Sequence, residues 1–459
     1  MTIPDKSSGS TLPRVFPLER VVDSTHVADP AAAVADQFKS LYPKGNELEG
    51  MRIGLTAVSR QIANYLVLFR AVIRELRARG AEVYIVPAIG SHGGGTEIGN
   101  LRTLGLFGVR EGKAVEHAEI IARSDTSHVD TVDGVEVHCL NSVLEDLDGV
   151  FLFGRVRRHW DIRWPKGRAE ELGCRPLESG LSKLFLGMAM LEAKKLHDHH
   201  DDLGWAVQIA AKRLLEEPRV NVVGGLAVVD NEEEQTALVQ GVPYFFSNGA
   251  ASSEDFFRRE LAVLEYSRRF LPYLPFADEP CHLLYLHYFG KPYAGQGADS
   301  KIIGRNGGIR NWCEGTPRFD YVCASRLIGS RDNKDLAGPF NAMGIGNLDV
   351  ITRRFYDAVD RELTRKNAIT AARPHGAAEP RVAANDLAMI HSVLGDRSSD
   401  SASLRMMFAV STVWMRLIYL SEEYFDRARG LDGFIVRGNP RPIPFDAQGF
   451  VDFPAFENI

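Results

Sequence analysis

Apolar positions in the first third of the chain follow two rhythms. Arg52–Val58 and Val83–Ile89 are short, nearly unbroken apolar runs, the second rich in β-branched residues. Between them, Ile62–Arg79 places Leu66, Phe69, Ile73 and Leu76 at helical spacing and stops at Gly80. Unbroken runs of strand length mark strands covered on both faces, the habit of parallel sheets, so the three segments predict a βαβ unit. Thr96-Glu97 then reads as a helix start.

Further buried-strand runs are expected at Gly149–Phe153 and Val220–Val229, and a long helix at about Glu254–Phe270 closes in LPYLPF. A boundary is expected near Asp278. A second alternation follows it in CHLLYLHYF, DYVCASRLI and the helix-like LDVITRRFYDAVDREL. Ala371–Arg381 reads as a loop, and Leu387–Leu394 and Leu404–Ala428 as helices. The pattern predicts the α/β class: two α/β domains with mainly parallel sheets, divided as 1–277 and 278–395, with 396–459 a helical segment and tail packing back on them.

Composition narrows the setting. With 459 residues, 45% apolar and 25% charged, the chain has ordinary globular character and material for more than one domain. A net charge of −6 and a pI near 6.1 leave no basic footprint for nucleic acid or an anionic membrane, and neither partner is expected. Cys139, Cys174, Cys281, Cys313 and Cys323 are odd in number and never spaced C-x-x-C, which argues against a disulfide framework or a zinc knuckle. The opening MTIPDKSSGSTLPRVF lacks an apolar signal core, and no stretch of 18 apolar residues follows. A cytoplasmic protein is expected.

Candidate chemistry sits where strands end. In AEVYIVPAIGSHGGGTEIGN, His92 and three glycines follow a strand, where parallel sheets bind ligands and glycine lets backbone approach them. The stretch is neither the dinucleotide fingerprint nor the P-loop, and turn chemistry alone would also account for it. His159 follows the strand-like GVFLFGRVRR. KKLHDHHDD offers His197, His199 and His200 among aspartates, enough for a metal but without zinc-site spacing; a solvated helix end reads equally well. Lys183, in ESGLSKLFLGM, follows a small-residue turn, a setting in which lysines also snorkel.

Together these pieces resemble the nickel-dependent lactate racemase family, in its branch with a GSHGG-T loop. The likeness runs in family order over about residues 45–450: SRQIAN, RARGAEVYIVPAIGSHGGGTEIGN, ESGLSK, FGKPYAGQGADSKIIGRNGG, MGIGNLDVITRRFYD and GNPRPIPFDAQG. It implies two α/β domains with a nickel-pincer nucleotide in the cleft between them. By this likeness Lys183 matches the lysine that tethers the nucleotide, and His199 the nickel ligand, at the family's spacing (199 − 183 = 16). Soft sulfur and imidazole donors suit planar Ni(II). His197 is an alternative ligand. His92 and His159 match the two catalytic bases and Arg60 an orienting arginine. Gly93 and Gly94 of the loop, and Ser179-Gly180 before the lysine, are the matching cofactor contacts; Lys301 and Gln296 match loosely. Ala57 stands where the family has an acidic residue.

The implied activity is racemisation or epimerisation of a 2-hydroxy acid by reversible hydride transfer, with two histidines as bases for the two configurations. Trp160 and Trp164, in a long segment between His159 and Lys183, favour an acid larger than lactate, such as a sugar acid. Two other readings stay open: a metal-assisted hydrolase or lyase built on HDHH, and a small-acid-binding protein without catalysis.

Overall fold

The computed structural model describes residues 12–60, 62–159, 162, 177–197, 203–244, 252–290, 297–307, 309–327, 344–362, 364–365, 378–395 and 402–453. The chain forms two compact units, one of residues 23–271 and the other of residues 1–22 with 272–459. Strand β1 (Val15–Arg20) is thus the first element of the second unit.

The 23–271 unit begins with α1 (Pro30–Leu41), capped by Asp29, whose side chain accepts from the Ala31 and Ala32 amides. Next come β2 (Arg52–Ala57), α2 (Tyr65–Arg77), β3 (Glu82–Pro87), a 3₁₀ turn at Gly90–Gly93, α3 (Glu97–Leu106) and β4 (Glu119–Ile120). The hairpin β5 (Thr126–Val132) and β6 (Val135–Leu140) stands apart as its own small sheet. The main sheet resumes with β7 (Gly149–Arg155), then α4 (Ser182–Met188), α5 (Ala193–His197), α6 (Leu203–Leu215), β8 (Val222–Asp230), β9 (Thr236–Val242) and α7 (Ser253–Ser267).

Its order is β4-β3-β2-β7-β8-β9, parallel except for β9. The expected βαβ unit is β2-α2-β3. Helix α2 buries Leu68, Phe69, Val72, Ile73 and Leu76, each worth roughly 1.5–3 kcal/mol against exposure. Phe69 meets Phe153 of β7 edge-on at 5.6 Å, tying the helix to the sheet's centre.

In the second unit β10 (Pro280–Phe289), β11 (Arg318–Leu327), β12 (Val350–Thr352), α8 (Arg353–Ala358), β13 (Arg381–Ala383), α9 (Asp386–Leu394), β14 (Met406–Ala409), β15 (Leu417–Ser421) and β16 (Phe434–Val436) follow in turn. The sheet order is β13-β12-β11-β10-β14-β15-β1-β16. From β13 to β14 the pairing is parallel, and from β14 to β16 antiparallel. The fold is α/β with mostly parallel sheets. Central β10 sends Leu284 and Leu286 to one core and Leu283 and Tyr285 to another, so both faces are covered.

The expected domain limits need correction at both ends. Residues 15–20 leave the 1–277 domain because VFPLER pairs antiparallel with β15 and β16. The helix expected at Leu404–Ala428 is two strands and a short final turn, Phe425–Ala428. MMFA and LIYLS are buried runs, and apolar runs that short fit a buried strand or a buried helix face equally well. Residues 396–459 are therefore no separate helical segment. Among the described residues no helix is long and apolar enough to cross a membrane.

Candidate functional site

Strand β2 is where the sheet of the 23–271 unit changes direction. The chain goes from β2 to β3 and β4 on one side, then to β7 and β8 on the other. Loops leaving β2 and β7 part there, and such switch points open a crevice beyond the strands' carboxyl ends. Backbone pairing between β2 and β7 ends at Leu55 with Phe151. Beyond it the Thr56 hydroxyl bridges the strands, accepting from the Phe153 N–H at 2.8 Å and donating to the Phe153 carbonyl at 3.3 Å.

Ser59 and Arg60 follow β2, and His92 lies on the 3₁₀ turn after β3. Gly94 closes that turn with φ of 65°, a left-handed conformation that costs glycine little, and Gly93 is buried beneath it. His92 Nδ1 stands 2.5 Å from Ser59 Oγ, and Nε2 stands 3.3 Å from Arg60 Nη2. A guanidinium only donates, so Nε2 presents its lone pair and the proton lies on Nδ1, toward Ser59. His92 is exposed, and in this tautomer it can serve as a base. Burial, with Arg155 nearby, brings the Arg60 guanidinium down to about 10. Arg155 itself pairs with Asp230 at the end of β8, 3.3 Å away.

His159 follows β7. Arg157 and Ser179 exchange main-chain hydrogen bonds of 2.9 and 3.2 Å, which bring the strand's exit beside the turn entering α4. The His159 amide donates to buried Glu178 at 2.6 Å, and Arg268 pairs with Glu178 at 3.4 Å. The Ile162 amide donates to His159 Nδ1 at 3.1 Å, so this imidazole carries its proton on Nε2. That Nε2 lies 2.8 Å from Lys183 Nζ. Lys183 Nζ would accept from a neutral imidazole in this tautomer only as the free amine, which is the nucleophilic form of a lysine.

The structure thus joins His92 to Ser59 and Arg60, and His159 to Lys183. Both groups stand beyond the carboxyl ends of strands of one sheet, the first after β2 and β3 and the second after β7. Ser179 is half-buried with its main chain engaged by Arg157, and Gly180 is buried against Glu260 of α7. Lys301 belongs to the other unit, on a short helix, Ser300–Ile303, whose cap Asp299 accepts its amide at 2.9 Å. His197 ends α5; His199, Gln296, Trp160 and Trp164 lie outside the described residues. Among the described residues, no group of three or more His, Cys, Asp or Glu could hold a metal.

Sequence reasoning missed Ser59, Arg155, Glu178 and Glu260. Three of them lie in segments already singled out, SRQIAN, GVFLFGRVRR and ESGLSK. The signal for Glu260 was a carboxylate on an apolar stripe, between Phe256, Phe257, Val263 and Leu264.

No family model matches the chain, and no curated protein does. Among solved structures, a crystal structure of a Thermotoga maritima protein from the Northeast Structural Genomics Consortium is similar to 76% of this chain over 82% of its own, at 13% identity and a TM-score of 0.41.

Proposed function

We propose that the protein is a racemase or epimerase of a 2-hydroxy acid, a sugar acid in preference to lactate, and that it uses a nickel-pincer nucleotide tethered through Lys183. The observation carrying this reading is the opposite bonding of two imidazoles that follow β3 and β7: His92 Nε2 faces the Arg60 guanidinium, an obligate donor, whereas His159 Nδ1 accepts the Ile162 amide and leaves Nε2 toward Lys183, so the first suits a base and the second an acid. Inversion at C2 through a 2-oxo acid needs that pair. One histidine takes the hydroxyl proton as the C2–H bond breaks, and the other protonates the carbonyl oxygen as the bond is remade on the opposite face. In the reverse direction the roles exchange.

Lys183 fits the tether, because its nitrogen lies 2.8 Å from His159 Nε2 and as the free amine can be acylated. His199, the nickel ligand by resemblance, lies outside the described residues, with His197 as the alternative. When bound, the group would take hydride from C2 and return it. The chain's own part is orientation: Arg60 keeps His92 Nε2 unprotonated, Ser59 fixes its tautomer, and Glu178 with Ile162 sets the ring of His159. Once Lys183 is acylated its nitrogen ceases to accept, and His159 Nε2 is available to substrate. A soluble intracellular setting, with no nucleic-acid or membrane partner, accords with the charge balance.

The test offers C2-deuterated acids, from lactate to aldonates, to the cofactor-loaded protein. Deuterium should stay at C2 in both configurations, and His92→Asn or His159→Asn should each slow turnover roughly 10²–10⁴-fold in both directions. Washing of the label into solvent would sink the hydride mechanism, and no racemisation across the series would sink the function.

A further inference from the structure

Glu260 takes no part in the chemistry just described, yet it lies directly beneath it. Its side chain sits on the apolar stripe of α7 and is only 2% exposed, a costly place for a carboxylate unless donors converge on it. Three do. The Ser182 amide lies 3.2 and 3.1 Å from the two carboxylate oxygens, the Ser182 hydroxyl donates to Oε2, and the Leu181 amide adds a third hydrogen bond. Gly180 lets the turn settle this low, since a Cβ there would collide with Glu260 Oε1. The residue after Ser182 is Lys183.

The same helix braces the other half of the contact. Arg268, the C-cap of α7, pairs with Glu178, and Glu178 accepts the His159 amide. One element therefore fixes both partners of the amine–imidazole hydrogen bond. A glutamine at 260 would turn an NH₂ group toward amide and hydroxyl donors, so shape alone does not account for a carboxylate here.

We propose that Glu260 is a positioning residue: its carboxylate holds the Ser182 turn so that the Lys183 amine stays against His159 Nε2 in its unprotonated, nucleophilic form. This rests on the reading of Lys183 as the reacting amine, but its test requires no cofactor. The full chain is labelled with trace acetic anhydride between about pH 6 and 10, and the rate at Lys183 is compared by peptide mass spectrometry with that at exposed Lys113 in the same sample. Wild-type Lys183 should outpace Lys113 near neutrality. Glu260→Gln should move its pH profile toward that of Lys113, lowering its neutral rate about tenfold, one pKa unit's worth. Gly180→Ala, which displaces the Glu260 carboxyl group without removing it, should do the same and carries the test if Glu260→Gln fails to fold. Ser182→Thr, which retains the hydroxyl, should restore the wild-type profile where Ser182→Ala shifts it. A fast Lys183 unchanged by both the 260 and the 180 substitutions would overturn the positioning role and leave the lysine's role intact. A wild-type Lys183 no faster than Lys113 would overturn both. A fast, Glu260-dependent Lys183 in a protein that never takes up a nucleotide would uphold the positioning role and remove the racemase reading.

Discussion

At the scale of single residues, buried Glu260 leaves a thermodynamic trace. Burial is the largest influence on its carboxyl and pushes it from 4.5 up to about 7, against the pull of the Ser182 hydroxyl and the Ser182 and Leu181 amides. The folded protein then keeps a proton that the unfolded chain releases between about pH 4.5 and 7. Stability contributed by the protonated form is full below that window and is lost as pH rises through it, up to about 3 kcal/mol for the whole shift. Urea unfolding at pH 5 and pH 8 should show this loss in wild type and its absence in Glu260→Gln. Thr56 is a second single-residue test. Thr56→Val keeps the shape but leaves the Phe153 amide and carbonyl without their bridge, and should cost about 1–3 kcal/mol, read as a lower urea midpoint at unchanged slope.

Among elements, α3 and the histidine turn act as one piece. Thr96 caps α3 by accepting the Gly99 amide at 3.1 Å, so Thr96→Ala should cost about 1 kcal/mol. Gly99 faces the Gly93 carbonyl so closely that an added Cβ would collide with it. Gly99→Ala should therefore displace the turn: His92 imidazole resonances should move while those of His128 and His138, on the separate hairpin, stay in place. Elements of this kind were legible in the sequence. β2, α2, β3, the Thr96 cap and the position of His92 at a strand's end follow from local periodicity and cap chemistry. The partners Ser59, Glu178 and Glu260 were not legible, because hydroxyls and carboxylates are common and become significant only when a fold sets them against an imidazole or an amide. The strands β14 and β15 were misread for a related reason: a sheet's pairing is recorded in distant residues, whereas a helix's is recorded four positions away.

For the whole molecule, the division at Asp23 and Leu271 makes one unit continuous in sequence and the other assembled from both ends of the chain. A fragment of residues 23–271 contains its whole six-stranded sheet and the Lys183–His159 contact. Expressed alone, it should unfold in a single cooperative transition and keep the wild-type labelling profile at Lys183; a fragment with the spectrum of an unfolded chain would refute this. The order of synthesis carries a further consequence. β1 leaves the ribosome long before its sheet partners, since Glu19 on it meets Arg416, 397 positions later, through a 3.0 Å hydrogen bond. At about 5–20 residues per second the strand waits some twenty seconds to more than a minute, with an unpaired edge, while the 23–271 unit emerges and can fold. A chaperone that binds extended apolar segments therefore has its longest opportunity at VFPLER, and translation halted before Leu417 should leave that strand open to protease while Lys183 is already in place.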